Sequence, residues 1–371
     1  MSLTPNPRVL YAKVPGPGPL VAGEHLVYES TPTIDLDAPL NGGFLTKTLL
    51  LSPEPFMRER LRDPSIFTYS TPMVVGQPVV GFGLVQVLRS EKEGVKAGDY
   101  MYGFTPWEHY TVQPYVDARF DFAGANYPPY TFDMDTLVLQ PVPDPQGTFR
   151  WVHFASVLGT PGLSAYVGLE SVAPDMKAGQ TIYVSSGASG VGSMVVQLCK
   201  NRGLRVIASA SSDSKVEYIR SLGADVAFNY TTCCVAATLA EHGPLDYYWD
   251  NVCGKQLEAA IQNMALNGLI ITCGAMSEYN LAPEECYGVK NLSLIFKRRL
   301  RIQGFIMSDA LPELLPRFMA EVPALLAQGK IKSQEQLYVG LDKGIEAFLS
   351  LYDGSSKAKP VVVVDEAYAC M

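Results

Sequence analysis

The stretch TIYVSSGASGVGSMVVQLCKNRGLRVIASASSDSK, Thr181 to Lys215, constrains the fold more than any other part of the chain. It opens on a β-branched and aromatic run (Thr181, Ile182, Tyr183, Val184), passes through small residues, and then carries apolar positions at helical spacing (Val191, Met194, Val195, Leu198). The spacing predicts a strand, a tight turn and a helix. Gly203 closes the helix, and Leu204 to Ala210 reads as the next strand of a βαβ unit. A turn built from Gly187, Ala188, Ser189, Gly190 and Gly192 lets backbone approach a ligand closely, and the helix behind it offers unpaired N–H groups to an anion such as a pyrophosphate. The spacing is G-x-x-G-x-G, which carries weight here because it sits between a strand and a helix.

The end of the second strand bears on which dinucleotide fits. A site for NAD commonly places an acid about 20 residues past the glycines, on the ribose hydroxyls, whereas a 2′-phosphate needs a cation and neutral donors. Ala208, Ser209, Ala210, Ser211 and Ser212 occupy that place, and Lys215 follows, which favours NADPH. Asp213 argues the other way unless it caps the helix Ser214 to Leu222, leaving the phosphate to Ser211 and Lys215.

At 371 residues the chain exceeds one ordinary core, so two domains are expected. A net charge of -8, with only the short basic run Lys297 to Arg301, argues against a nucleic-acid partner. The seven cysteines (Cys199, Cys233, Cys234, Cys253, Cys273, Cys286, Cys370) lack framework spacing, which implies free thiols and a cytoplasmic setting. No apolar run approaches membrane-spanning length, so no membrane partner is expected either.

Residues 1 to about 155 are rich in Pro and Gly with short alternating runs, which predicts an irregular β domain. Within it, Val79 to Val87, Tyr100 to Phe104 and Trp107 to Val112 read as strands and Tyr115 to Gly147 as a long surface excursion. From 156 to 330 the pattern alternates. Helices are expected at Ser214 to Leu222, Cys234 to Glu241, Gln256 to Leu266 and Leu311 to Leu326, and strands at Val226 to Tyr230, Leu245 to Val252 and Leu269 to Cys273, which together predict an α/β doubly wound parallel sheet. The tail, 331 to 371, with Gln336 to Val339, a helix Asp342 to Tyr352 and the strand Val361 to Val364, is expected to return to the first domain.

With these residues in view, the chain resembles the medium-chain dehydrogenase/reductase superfamily, and within it the zinc-free alkenal double-bond reductases, the subgroup of leukotriene B4 12-hydroxydehydrogenase/prostaglandin reductase. The resemblance rests on Pro55-Phe56-Met57-Arg58, Gly76-Gln77-Pro78, Gly98-Asp99, Leu158 to Tyr166, Phe228-Asn229-Tyr230, Asp250-Asn251-Val252, Cys273 to Asn280 and Gln303-Gly304-Phe305, in order over nearly the whole length. It implies a Rossmann domain plus a GroES-like irregular β-barrel catalytic domain, NADPH as cofactor, and a homodimer. Zinc-bearing members of the superfamily need cysteines in the first domain. Here no cysteine precedes Cys199, and His25, His109 and His153 lack a partnered ligand set, so no metal is expected.

Carried over position by position, the resemblance implies cofactor contacts at Gly187 to Gly192, Ser211, Lys215, Tyr230, Asn251, Cys273, Gly274, Ala275, Ser277 and Tyr279, and at Phe305, Ile306, Met307 and Ser356. Core packing competes as the role of Cys273 and Phe305. Phe56, Phe82 and Tyr279 are implied as the substrate wall, in a cleft between the domains. Tyr279 is the candidate catalytic residue, because reducing an α,β-unsaturated carbonyl leaves negative charge on oxygen and needs a donor aimed at it. Some relatives have tyrosines at Phe56 and Phe82, so a more apolar pocket is implied. Ser189 replaces a family glycine, which implies a turn re-registered by one residue, and Ser356 replaces an asparagine that reaches the cofactor. The expected activity is reduction of the C=C bond of small-molecule enones and enals. A quinone reductase, a polyketide trans-enoyl reductase and an NADPH-binding protein without turnover are the alternatives.

Overall fold

The computed structural model describes residues 3–66, 68–113 and 139–369, so the expected excursion lies outside the described residues up to 138. The chain forms two units. One holds Met1–Gly159, Glu335–Ser356 and Pro360–Met371; the other holds Thr160–Gln334 and Lys357–Lys359.

The first unit is organised on a seven-stranded sheet. Its strands are β1 (Phe44–Ser52), β2 (Val80–Ser90), β3 (Tyr100–Pro106), β4 (Tyr110–Gln113) and β5 (Gln140–Val142), and from the tail β12 (Glu335–Val339) and β13 (Lys359–Val363). The order is β5-β3-β2-β1-β13-β12, with β4 also on β1. Val362 pairs antiparallel with Leu51, so the last strand of the tail joins this sheet. Trp107, Tyr11, Met57, Leu61, Phe348 and Val362 form its main core, each side chain of this size contributing about 1.5–3 kcal/mol by burial. The short helix α1 (Met57–Arg60) follows β1 and buries Met57, Arg58 and Arg60.

The second unit begins with helix α2 (Thr160–Val172). Its sheet comprises β6 (Thr181–Val184), β7 (Arg205–Ala210), β8 (Val226–Asn229), β9 (Leu245–Asp250), β10 (Met264–Thr272) and β11 (Arg301–Gly304). All neighbours are parallel, in the order β8-β7-β6-β9-β10-β11. This is the doubly wound arrangement whose strand order reverses beside its first strand, where such sheets bind ligands. The connecting helices are α3 (Gly190–Asn201), α4 (Asp213–Ser221), α5 (Val235–His242), α6 (Gly254–Asn263), α7 (Ser293–Arg298) and α8 (Met307–Ala327). The fold is thus a two-domain α/β fold with a Rossmann-type sheet and a separate, largely antiparallel one.

Tyrosines run through the buried face of this sheet. Tyr183 stacks on Tyr248 with ring centroids 4.9 Å apart. A buried hydroxyl without a partner is costly, and Tyr183 Oη meets that demand by donating to Gln256 Oε1 at 2.6 Å, with Ser209 Oγ at 2.8 Å. Helix α8 starts at Met307, a turn earlier than its apolar spacing predicts, and carries Pro312, Pro316 and Pro323 internally.

Candidate functional site

The glycine turn lies between β6 and α3. Ser189 is the N-cap, and its Oγ accepts the Gly192 N–H at 3.0 Å. Ser189 thus acts as a helix cap, worth about 1 kcal/mol. Ser186 takes φ 53, a left-handed conformation unusual outside glycine. Gly187 N–H donates to Ser209 O and Ser189 N–H to Ser186 O, whereas the N–H groups of Ala188, Gly190 and Val191 have no acceptor among the described residues. A Cβ on Gly192 would lie 2.2 Å from Ser186 O, so only glycine allows the turn to fold this tightly. Three unpaired donors at the start of a 12-residue helix suit a pyrophosphate.

At the end of β7, Lys215 Nζ donates to Ser211 Oγ at 3.3 Å. Burial lowers the Lys215 pKa from the usual lysine range, the mark of an ammonium partly stripped of water. The helix cap here is Ser212, whose Oγ accepts the Lys215 N–H, and not Asp213. Asp213 is instead the first helical residue, where its Oδ1 accepts from Asn229 Nδ2 at 2.8 Å. The one acid near this strand end is thereby engaged by the neighbouring strand. Tyr230, 38 % exposed, follows β8, and its N–H is fixed on Ala210 O at 3.0 Å.

The ends of β9 and β10 are knitted together. Asp250 O accepts the N–H groups of Cys273 (2.8 Å) and Gly274 (3.1 Å), Asn251 O that of Met276 (3.1 Å), and Val252 O that of Ser277 (3.1 Å). Ser277 Oγ adds a bond to Val252 O at 2.6 Å. Above this ladder the Tyr279 hydroxyl accepts a long bond, 3.5 Å, from the Ala275 N–H. Tyr279 is half-buried. Asn251, read from the sequence as a cofactor contact, is 7 % exposed and commits its carboxamide internally. Its Nδ2 donates to Ser185 O at 2.7 Å and its Oδ1 accepts from Trp249 Nε1 at 3.0 Å. Burial pushes the Cys273 thiol up to about 12, so that cysteine stays protonated at neutral pH.

Phe305 follows β11 and tilts onto Trp249, centroids 5.6 Å apart. A Cβ on Gly168 of α2 would meet both rings at 2.4 Å, so the glycine permits their approach. Ile306 caps α8, and Met307 Sδ lies 3.7 Å from Ser164 Oγ.

Phe56, Phe82 and Ser356 belong to the first unit. Phe82 is buried (4 % exposed) and faces Phe104 across the β2–β3 ladder, ring centroids 4.4 Å apart. Phe56 stands edge-on to both, at 6.0 and 6.2 Å. Phe56 and Phe104 are half-buried, and the sequence pattern alone does not single out Phe104. The Arg60 guanidinium sits 5.0 Å from the Phe104 ring centre and donates to Thr71 O and Val80 O. Ser356 is half-buried, its N–H on Ser350 O.

Of the first unit's histidines, His25 Nδ1 accepts the Val21 N–H and His153 Nε2 lies 3.2 Å from Arg150. Among the described residues no three His, Cys, Asp or Glu side chains gather as a metal site, and no helix is long and apolar enough to cross a membrane.

Residues 190–322 match the family described as zinc-binding dehydrogenase, and residues 28–118 the N-terminal domain of oxidoreductase. The chain is 35% identical to dehydrogenase FUB6 of Gibberella moniliformis, covering 93% of this chain and 94% of that protein. It is 32% identical to the NADP(+)-dependent 2-alkenal reductase of Nicotiana tabacum, covering 90% of each. The crystal structure of CurA from Vibrio vulnificus in complex with NADPH superposes with a TM-score of 0.79 at 26% identity, covering 97% of this chain and 99% of that one. The chain therefore belongs to the medium-chain dehydrogenase/reductase family, in its alkenal double-bond reductase branch.

Proposed function

We propose that this protein is an NADPH-dependent reductase of the C=C bond of α,β-unsaturated aldehydes and ketones, working without zinc. The observation that carries the cofactor assignment is the pairing of three unpaired N–H groups at Ala188, Gly190 and Val191 with the Ser211–Lys215 pair beyond them, while Asp213 is engaged by Asn229. The first group suits a pyrophosphate and the second a 2′-phosphate. The tobacco 2-alkenal reductase and the NADPH complex of CurA support the same reading.

Bound NADPH would supply a hydride for the β-carbon of the substrate, and the proton that the α-carbon needs would come from solvent, relayed by the Tyr279 hydroxyl. The chain's own part is to hold and polarise. Ala188 to Val191 and Lys215 anchor the phosphates. The Cys273 to Ser277 segment, with Phe305 to Met307, would hold the nicotinamide half. Tyr279 Oη donates to the carbonyl oxygen as charge builds there, the kind of interaction worth about 10²–10³ in turnover when a single donor is removed. Phe56, Phe82 and Phe104 form an apolar, aromatic cluster within the first unit. Zinc independence is supported by the sequence, whose first cysteine is Cys199.

The test is NADPH depletion with an aryl enone such as 4-phenyl-3-buten-2-one, with the product identified. The saturated ketone is expected, with turnover lowered about 10²-fold by Tyr279→Phe and unaffected by a chelator. The allylic alcohol, or a quinone turned over faster than every enone, would overturn the assignment, as would tight NADPH binding without turnover of any activated alkene. Homodimerisation and a cytoplasmic location complete the proposal.

A further inference from the structure

We infer that Asp250 is a positioning residue that sets Tyr279 through the backbone of two loops, an inference that rests on the reading of Tyr279 as the oxygen-directed donor. Asp250 Oδ1 accepts three bonds: from Tyr248 Oη at 2.7 Å, from the Val252 N–H at 2.9 Å and from the Cys253 N–H at 2.8 Å. The carboxylate is buried, and burial raises its pKa from the usual aspartate range against those three donors. A buried charge held this way fixes the chain around it, because each charge-assisted bond is roughly twice as strong as a neutral one.

What it fixes is a conformation the chain would otherwise avoid. Cys253 sits at φ 67, ψ -158, a region almost reserved for glycine, and Gly254 follows at φ 56. Curling the chain there leaves the three carbonyls of residues 250, 251 and 252 to receive the N–H groups of 273, 274, 276 and 277. The second loop is therefore templated on the first, and Tyr279 rides on it through the Ala275 N–H. Asp250 touches no reacting atom in this scheme. It acts by deciding where the hydroxyl stands, and displacements of about 1 Å at a reacting centre can cost about 10² in rate.

The test compares Asp250→Asn with Tyr248→Phe, a milder variant that removes one of the three donors and keeps the carboxylate. By amide hydrogen exchange on the full chain, Asp250→Asn should speed exchange at Cys273, Gly274, Met276 and Ser277 at least tenfold while Ile182 to Val184 exchange as in wild type, and Tyr248→Phe should do the same to a smaller degree. Enone kcat should fall at least tenfold in Asp250→Asn with the NADPH Kd within threefold. In a Tyr279→Phe background Asp250→Asn should cost no further kcat, because both changes remove one interaction. Wild-type exchange at the four amides in both variants, or full additivity of the two kcat losses, would overturn the inference. If Tyr279→Phe alone leaves turnover unchanged, the catalytic reading fails while the exchange data still decide the role of Asp250.

Discussion

Replacing Lys215 by alanine tests the dinucleotide assignment at its most exposed point. Its ammonium is half-buried and donates to Ser211 Oγ. Unit charges about 4 Å apart attract by about 4 kcal/mol at an effective dielectric near 20. Solvent reaches about half of the side chain, so about 2 kcal/mol survives screening, which is about 30-fold in Kd. Fluorescence titration of Lys215→Ala should show NADPH affinity falling about 30-fold and NADH affinity changing less than about twofold. Ser211→Ala removes one neutral donor and should cost about fivefold, for NADPH alone. Because the lost attraction is electrostatic, the gap between wild type and Lys215→Ala should narrow as salt rises. Equal losses for both nucleotides would mean that Lys215 supports the fold of the strand end and not the 2′-phosphate; no loss for NADPH would refute the site.

Gly192→Ala would set a methyl group 2.2 Å from Ser186 O, so the turn must open; NADPH binding should be lost with about 1–3 kcal/mol of stability, read by titration and thermal melting. Asp225, an exposed residue, is bonded by Lys200 Nζ and the Val206 N–H, which together overcome the opposing effect of partial burial and lower its pKa. Its stabilisation is present above the unfolded value of about 3.9 and fades as pH falls through the depressed folded value, so Asp225→Asn should cost up to about 1 kcal/mol at pH 7 and match wild type in the most acidic denaturation curves. Strand β11 is an exposed sheet edge with Ile302 on it and Phe296 of α7, 72 % exposed, nearby in sequence. Under the homodimer proposal, Ile302→Lys combined with Phe296→Glu should give a monomer by light scattering, and a dimer that survives both changes would place the interface elsewhere.

The alternation of strands and helices from Thr181 onward is legible because parallel strands are buried on both faces and helices on one, and these two periods differ in the sequence. The start of α8 lies four residues before the expected one because the apolar spacing begins only at Leu311, after the first turn Met307 to Ala310. The cap at Ser212 was exchanged with Asp213 because both residue types cap equally well, and only the Asn229 side chain, 16 residues on, decides between them. Phe104 escaped notice because its contact with Phe82 depends on strand register, which the sequence does not state. The ladder between residues 250–252 and 273–277 is made wholly of main-chain groups, so no side-chain pattern announces it. Motif positions, by contrast, were visible as residues, and what the structure adds is which of them have donors to spare.

The order in which the two units can fold during synthesis follows from the placement of β13. Residues 160–334 emerge as one continuous run and can complete their sheet while synthesis continues. The other unit cannot, because β13 lies between β1 and β12 and pairs Val362 with Leu51, a partner made 311 residues earlier. Until translation ends, β4 covers Phe44 to Lys47 of β1 but the Leu50–Leu51 end lacks its partner, and a chain that stops short of Lys359 presents that end to its neighbours as a template for aggregation.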